Sequence, residues 1–166
     1  MTTTCSDLDH PGLSRERLRD ALEVVLETMF FLPPDDLRAE PVEIPAAVGA
    51  QLRFTGARTG GFGLLVSPGL AQTLALNFYG ELSSDIASAA EVEAVVFELA
   101  NVICGNFLSR LEAGDVFSLS APQPWEPPAR GEDIAIAASA FCEGEWLSAR
   151  LWLLAGAADS ASEEHR

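Results

Sequence analysis

Glu98 and Asn101 stand three residues apart inside a run whose other members are almost all apolar. On a helix that spacing leaves them about 60° apart around the axis, nearly one above the other. A carboxylate offers acceptors, and a carboxamide beside it both donates and accepts hydrogen bonds. In an apolar run such groups are either exposed as a polar strip or buried with partners. Spacing alone leaves two readings open: a reactive pair, or a solvated helix stripe made of Glu91, Glu98 and Asn101.

The rest of the inventory narrows the chemistry by exclusion. All ten cations are arginine, and a chain without lysine forms no Schiff base and carries no Walker-type or kinase phosphate lysine. Cys5, Cys104 and Cys142 are odd in number and scattered, fitting neither a disulfide framework nor a zinc spacing. Cys104 lies in the apolar run and reads as a small core residue. His10 and His165 sit in polar stretches near the two ends, so neither a histidine metal site nor a catalytic triad is expected. The net charge of −15 disfavours nucleic acid and anionic membrane surfaces as partners. It fits solubility, or attraction to a basic patch on another protein. No uninterrupted apolar run reaches the roughly 18 residues of a membrane span. Met1 to Asp7 has neither the basic start nor the apolar stretch of a signal peptide, so a cytoplasmic location is expected.

The elements that must carry the pair follow from periodicity. With 166 residues, 48% of them apolar, the chain is long enough for one domain, over residues 13–156, between a flexible tail at 1–12 and a disordered one at 157–166. Ser14 can cap a first helix whose buried face is Leu18, Leu22, Val25, Leu26 and Met29, stopped by Pro33 and Pro34. Gln51 to Thr55 and Gly61 to Val66 read as strands joined by a turn at 57–60. Ser67-Pro68 starts a short helix with Leu70, Leu74 and Phe78 inward and Gly80 at its end. Ser88 and Glu91 have capping-box spacing and open the long helix from Ala89 to Leu111, which Gly114 can close. Three strands are then expected: Val116 to Ser120, ended by Pro122 and Pro124; Asp133 to Cys142, with Ile134 and Ile136 on one face; and Glu145 to Leu154, with Leu147, Ala149, Leu151 and Leu153 on one face. Glu143-Gly144 reads as a tight hairpin turn. The fold class is therefore α+β, an antiparallel sheet with long helices packed on one face. Gly105 reads as a packing glycine that lets another element approach the helix, Asn106 as a capping or surface amide or one near the pair, Arg110 as a solvated arginine or a phosphate contact, and Trp125, Trp146 and Trp152 as a binding surface or, for at least two of them, core or sheet-face packing.

Glu98-Leu99-Ala100-Asn101, followed by Gly105-Asn106 and Leu119-Ser120-Ala121-Pro122, resembles the signature of the CheX/CheC family of chemotaxis phosphatases. In that pattern a Glu-x-x-Asn on a long helix is followed about 20 residues later by a proline. Pro122, 21 residues after Asn101, fills that place, with Pro124 as the alternative. The first helix, with Leu26-Glu27-Thr28-Met29-Phe30-Phe31-Leu32, is also similar to the start of CheX-like domains, and the likeness runs from about residue 14 to 155. It implies a CheC/CheX-like fold and a protein phosphoaspartate phosphatase acting on a CheY-like response regulator, in chemotaxis or related two-component signalling. Glu98 and Asn101 would be the catalytic residues, and Glu98 and Pro122 would meet the partner. The Mg²⁺ would come with the regulator, the chain having no cofactor of its own, and pairing of two copies through their sheets is possible. The pattern has an Asp or Ser four residues before the glutamate, where this chain has Ala94; Glu93 beside it points elsewhere. The first helix has Phe30 where a second site would need asparagine, so a single site is expected. Two further readings stand beside the phosphatase: a non-catalytic CheX-like module that docks to a signalling partner, and a scaffold that dimerises through a sheet edge.

Overall fold

The computed structural model describes residues 15–80, 86–111, 116–128 and 134–154. The elements run α1 (Arg15–Met29), β1 (Asp36–Arg38), β2 (Val48–Thr55), β3 (Gly60–Val66), α2 (Pro68–Tyr79), α3 (Ala89–Ser109), β4 (Ser118–Leu119), β5 (Gln123–Pro124), β6 (Ile134–Cys142) and β7 (Glu145–Leu153). Every strand pairing is antiparallel, in the order β1-β6-β7-β3-β2-β4, and β5 pairs with β2 further along the same edge. α1 packs on β6, α3 on β2 and β3, and α2 on β7, while α3 also touches both other helices. The α+β architecture with its helices on one face of the sheet is the expected one. Ser14, Gly114 and Asp133, named above as element ends, and both tails lie outside the described residues.

α3 is held at both ends. The Ser88 hydroxyl accepts from the Glu91 N–H at 3.2 Å and the Glu91 carboxylate accepts from the Ser88 N–H at 2.9 Å, a complete capping box. At the other end Arg17 of α1 donates to the carbonyls of Arg110 and Leu111, at 2.9 and 3.3 Å. A cation there meets orphan acceptors and the negative end of the helix dipole. The helix stops at Ser109, two residues before the expected Leu111. Nine of its residues, from Val92 to Leu108, are buried. By length and composition it is the one helix among the described residues apolar enough to cross a bilayer, and half of that stretch is buried in this core.

α1 departs from its expected stripe at the end. Leu18, Leu22, Val25 and Leu26 are buried, but Met29 is exposed, and Phe30 is the residue that turns inward. Phe31 adopts a left-handed conformation (φ 53°) and stands 75% exposed, and the Leu32 N–H then reaches back to the Leu26 carbonyl at 3.0 Å. Phe78 of α2 is likewise exposed rather than buried and stacks on Phe30 at 5.7 Å. Ser67 and Gly80 cap α2 as expected; Gly80 takes φ 72° and its N–H bonds the Leu76 carbonyl at 3.0 Å.

The sheet's far face is also covered, which periodicity did not foresee. Segment 39–47 crosses it: Ser139 donates to the Glu40 carbonyl at 2.7 Å, the Val42 N–H to Ser148 at 3.4 Å, and Arg150 to the Val42 carbonyl at 3.2 Å. Beside it, Trp125 lies against Gly63 and Trp152 against Gly61, where a β-carbon would overlap either indole, and the two rings meet edge to face at 6.0 Å. Trp146 packs on Phe141 under the Arg38 guanidinium, 4.7 Å from the ring centre. Ile134 and Ile136 do not share a face, contrary to expectation. A bulge between them pairs Ile134 with Trp152 and Ile136 with Leu151, neighbours that point to opposite sides. The hairpin turn is as read: Glu143 and Gly144 both have positive φ, 50° and 85°.

Candidate functional site

The site helix carries two faces. Val95, Val96, Leu99, Ala100 and Ile103 look into the core. Ala94, Phe97, Glu98 and Asn101 form the other row, at spacings of three and four, and line one wall of an open groove. The opposite wall is Leu119, Ser120, Ala121 and Pro122, the connection between β4 and β5. The groove thus brings together all three residues singled out from sequence, Glu98, Asn101 and Pro122. Glu91 does not join them, because the capping box holds its carboxylate.

The β4–β5 connection faces the helix for a reason visible in the register. On β2, Leu52 and Arg53 separate the residues paired with β5 (Gln51) and β4 (Phe54); opposite them stand three residues, Ser120, Ala121 and Pro122. The extra residue is a bulge at a sheet edge, the place where a proline without an N–H is tolerated. Of the strand expected over Val116 to Ser120, Ser118 and Leu119 form β4. Pro124, expected to end it, instead pairs with Ala50.

Glu98 is exposed and Asn101 half-buried, and neither side chain hydrogen-bonds within the described chain. Their polar atoms are available to a partner or to water. Ala94 presents only a methyl group at the groove, and Glu93 is exposed outside the groove lining. Phe97 and Leu119 make the groove's apolar side. Sequence reasoning did not single out Phe97, although its positions relative to Ala94 and Asn101 place it on the same helix face. It quoted Ser120 without assigning it a task.

Other candidates fall outside the groove. Burial pushes the Cys104 thiol up to about 12. Burial, with Asp35 and Glu143 adding, does the same to Cys142. Neither is a nucleophile at neutral pH. Asn106 accepts from Arg110 at 2.8 Å, a surface pair one turn past the site. His10 and His165 lie outside the described residues; among those described, no three His, Cys, Asp or Glu cluster as a metal site would need. At the corresponding end of α1, Phe30 is fully buried, so that helix offers no second Glu-x-x-Asn pair.

Gly105 is not the close-approach glycine expected from its place in the helix. An added β-carbon would meet only Leu119 Cδ1, at 3.8 Å, an ordinary contact. Gly105→Ala is therefore expected to stabilise the protein by about 0.5–1 kcal/mol through lower unfolded-chain entropy, read as a higher denaturant midpoint with unchanged slope.

Comparison with known proteins bears on the family and the fold. The family model described as chemotaxis phosphatase CheX matches residues 48–140. No curated protein matches the chain. Among solved structures, CheX in a CheX–CheY–BeF3–Mg²⁺ complex from Borrelia burgdorferi superposes with a TM-score of 0.66 at 21% identity, over 83% of this chain and 96% of that one. The chemotaxis protein CheX from Vibrio vulnificus gives 0.66 at 21% identity, over 85% and 99%. Thermotoga maritima FliY gives 0.58 at 17%, over 90% and 91%. At these identities the structural likeness establishes the fold.

Proposed function

We propose, from the premise that this chain belongs to the CheX family of chemotaxis phosphatases, that it hydrolyses the phosphoaspartate of a CheY-like response regulator at the groove between α3 and the β4–β5 bulge. The observation that carries the reading is the convergence of Glu98, Asn101 and Pro122 on one groove, with both polar side chains unpaired within the described chain. The Borrelia CheX was crystallised with CheY, which supports a regulator as the partner.

An acyl phosphate is already reactive, so positioning water in line with the breaking bond supplies much of the acceleration. Asn101, donor and acceptor at once, orients that water. The water oxygen bonds to phosphorus, the bond from phosphorus to the aspartate oxygen breaks and its electron pair stays on the carboxylate, and the products are the free carboxylate and dihydrogen phosphate, which carries both of the water's protons and can pass one to solvent. Glu98 binds a lysine of the regulator and fixes the docking register, while Pro122 forms the wall against which the partner seats. The regulator brings the Mg²⁺, which offsets charge on the phosphoryl oxygens. The chain acts in the cytoplasm, where such regulators reside.

Glu98→Ala is expected to raise KM for the phosphorylated regulator about tenfold while kcat changes by less than about threefold, because a docking ion pair is lost and the water-orienting group is kept. Steady-state phosphate release checks this; an unchanged KM removes Glu98 from the docking role. One observation favours a second reading, a docking module without catalysis: Ala94 puts a methyl group where the family pattern has Asp or Ser.

A further inference from the structure

Arg53 of β2 faces the bulge with both of its backbone groups. Its carbonyl accepts from the Ser120 N–H at 2.8 Å, as in an ordinary ladder. Its N–H, however, donates to the Ser120 hydroxyl, also at 2.8 Å. In a regular antiparallel pair that second bond would go to a backbone carbonyl. Here one residue's side chain completes the exchange, just where the extra residue breaks the register. Two residues later the chain reaches Pro122, which has no N–H with which to re-attach itself to β2.

We infer that Ser120 is a positioning residue for the groove. Its hydroxyl pins the start of the bulge to Arg53, so that Ala121 and Pro122 stand toward α3 opposite Glu98 and Asn101. Without the hydroxyl, the connection loses one of its two Ser120–Arg53 bonds and keeps the other, the short pairings of β4 and β5, the Trp125 N–H bond to the Gly49 carbonyl at 3.1 Å and the Glu126 N–H bond to the Gln51 side chain at 3.2 Å, the last two lying beyond Pro122. The wall then samples other positions, and the partner meets a groove that must first be ordered. This inference rests on reading the groove as the docking site.

Ser120→Ala in the full chain tests it with two independent readouts. In dephosphorylation of the regulator, KM is expected to rise about tenfold with kcat within about twofold, and Ser120→Thr, which keeps the hydroxyl, is expected to restore KM. A merely destabilising change would lower the amount of active protein, hence apparent kcat, and leave KM alone; that result would overturn the assignment. The second readout is amide exchange at Arg53, expected to be at least about tenfold faster in Ser120→Ala. Unchanged Arg53 protection overturns the clamp whatever the activity. If the wild type shows no phosphatase activity, the reading of the groove fails by itself, and faster Arg53 exchange in Ser120→Ala still supports the clamp.

Discussion

Asn101→Ala is expected to lower kcat for dephosphorylation of the regulator by about 10²–10³-fold, the scale seen when one positioned donor is removed from a reacting centre. KM is expected to move little, since Glu98 and Pro122 remain in place. The thermal midpoint is expected to stay within a degree or two, because the Asn101 side chain makes no hydrogen bond within the described chain and its removal strands no partner. This combination is what separates a reactive amide from a structural one. A solvated stripe residue would leave both activity and stability untouched, and a buried structural amide would lower both. Single-turnover decay of the phosphorylated regulator, alongside a melting curve, distinguishes all three.

Two residues away on the same helix the expectation reverses. Leu99 is fully buried and points into the core between α3 and the sheet. Leu99→Ala is expected to cost about 2–5 kcal/mol of unfolding free energy, the transfer of three methyl-sized groups plus the cavity left behind. For a domain of this size that is a fall in melting temperature of roughly 5–15 °C. At temperatures where the variant is folded, kcat is expected to approach the wild-type value, because the groove face of α3 is unaltered. Denaturant unfolding measures the loss. A cost below about 1 kcal/mol would mean that α3 is not packed as described.

The contrast between Asn101 and Leu99 explains why the site was legible in the sequence. A polar pair at helical spacing in an apolar run, with a capping box upstream, specifies a helix with one face in the core and another that needs a reason. The Glu143-Gly144 turn, the β2–β3 pair and the caps of α2 were legible on similar local grounds. What was not legible depends on contacts made at a distance. β1 and β5 have three and two residues, and their pairing is decided by β6 and β2 rather than by their own pattern. The bulge that splits Ile134 from Ile136 leaves the alternation on paper intact while reversing one side chain. Met29 and Phe78 continue their apolar stripes to the helix ends, yet it is Phe30 that turns inward there, so they remain exposed. Gly105 carried no local sign that its neighbourhood is open. The family pattern named Glu98, Asn101 and Pro122, which the structure brings to one groove, but the bond from the Arg53 N–H to the Ser120 hydroxyl emerges only once three residues are seen facing two.

The central claim is that this groove accelerates hydrolysis of an acyl phosphate on a partner. The most direct test is the decay of a phosphorylated CheY-type regulator from the same genome, followed with and without this protein at stoichiometric and catalytic ratios. The account predicts faster decay with turnover, phosphate released in equal measure, and loss of the effect in Asn101→Ala. Decay unchanged for every regulator of that genome, with binding still detectable, would contradict it and leave a docking module whose groove carries a methyl group at Ala94.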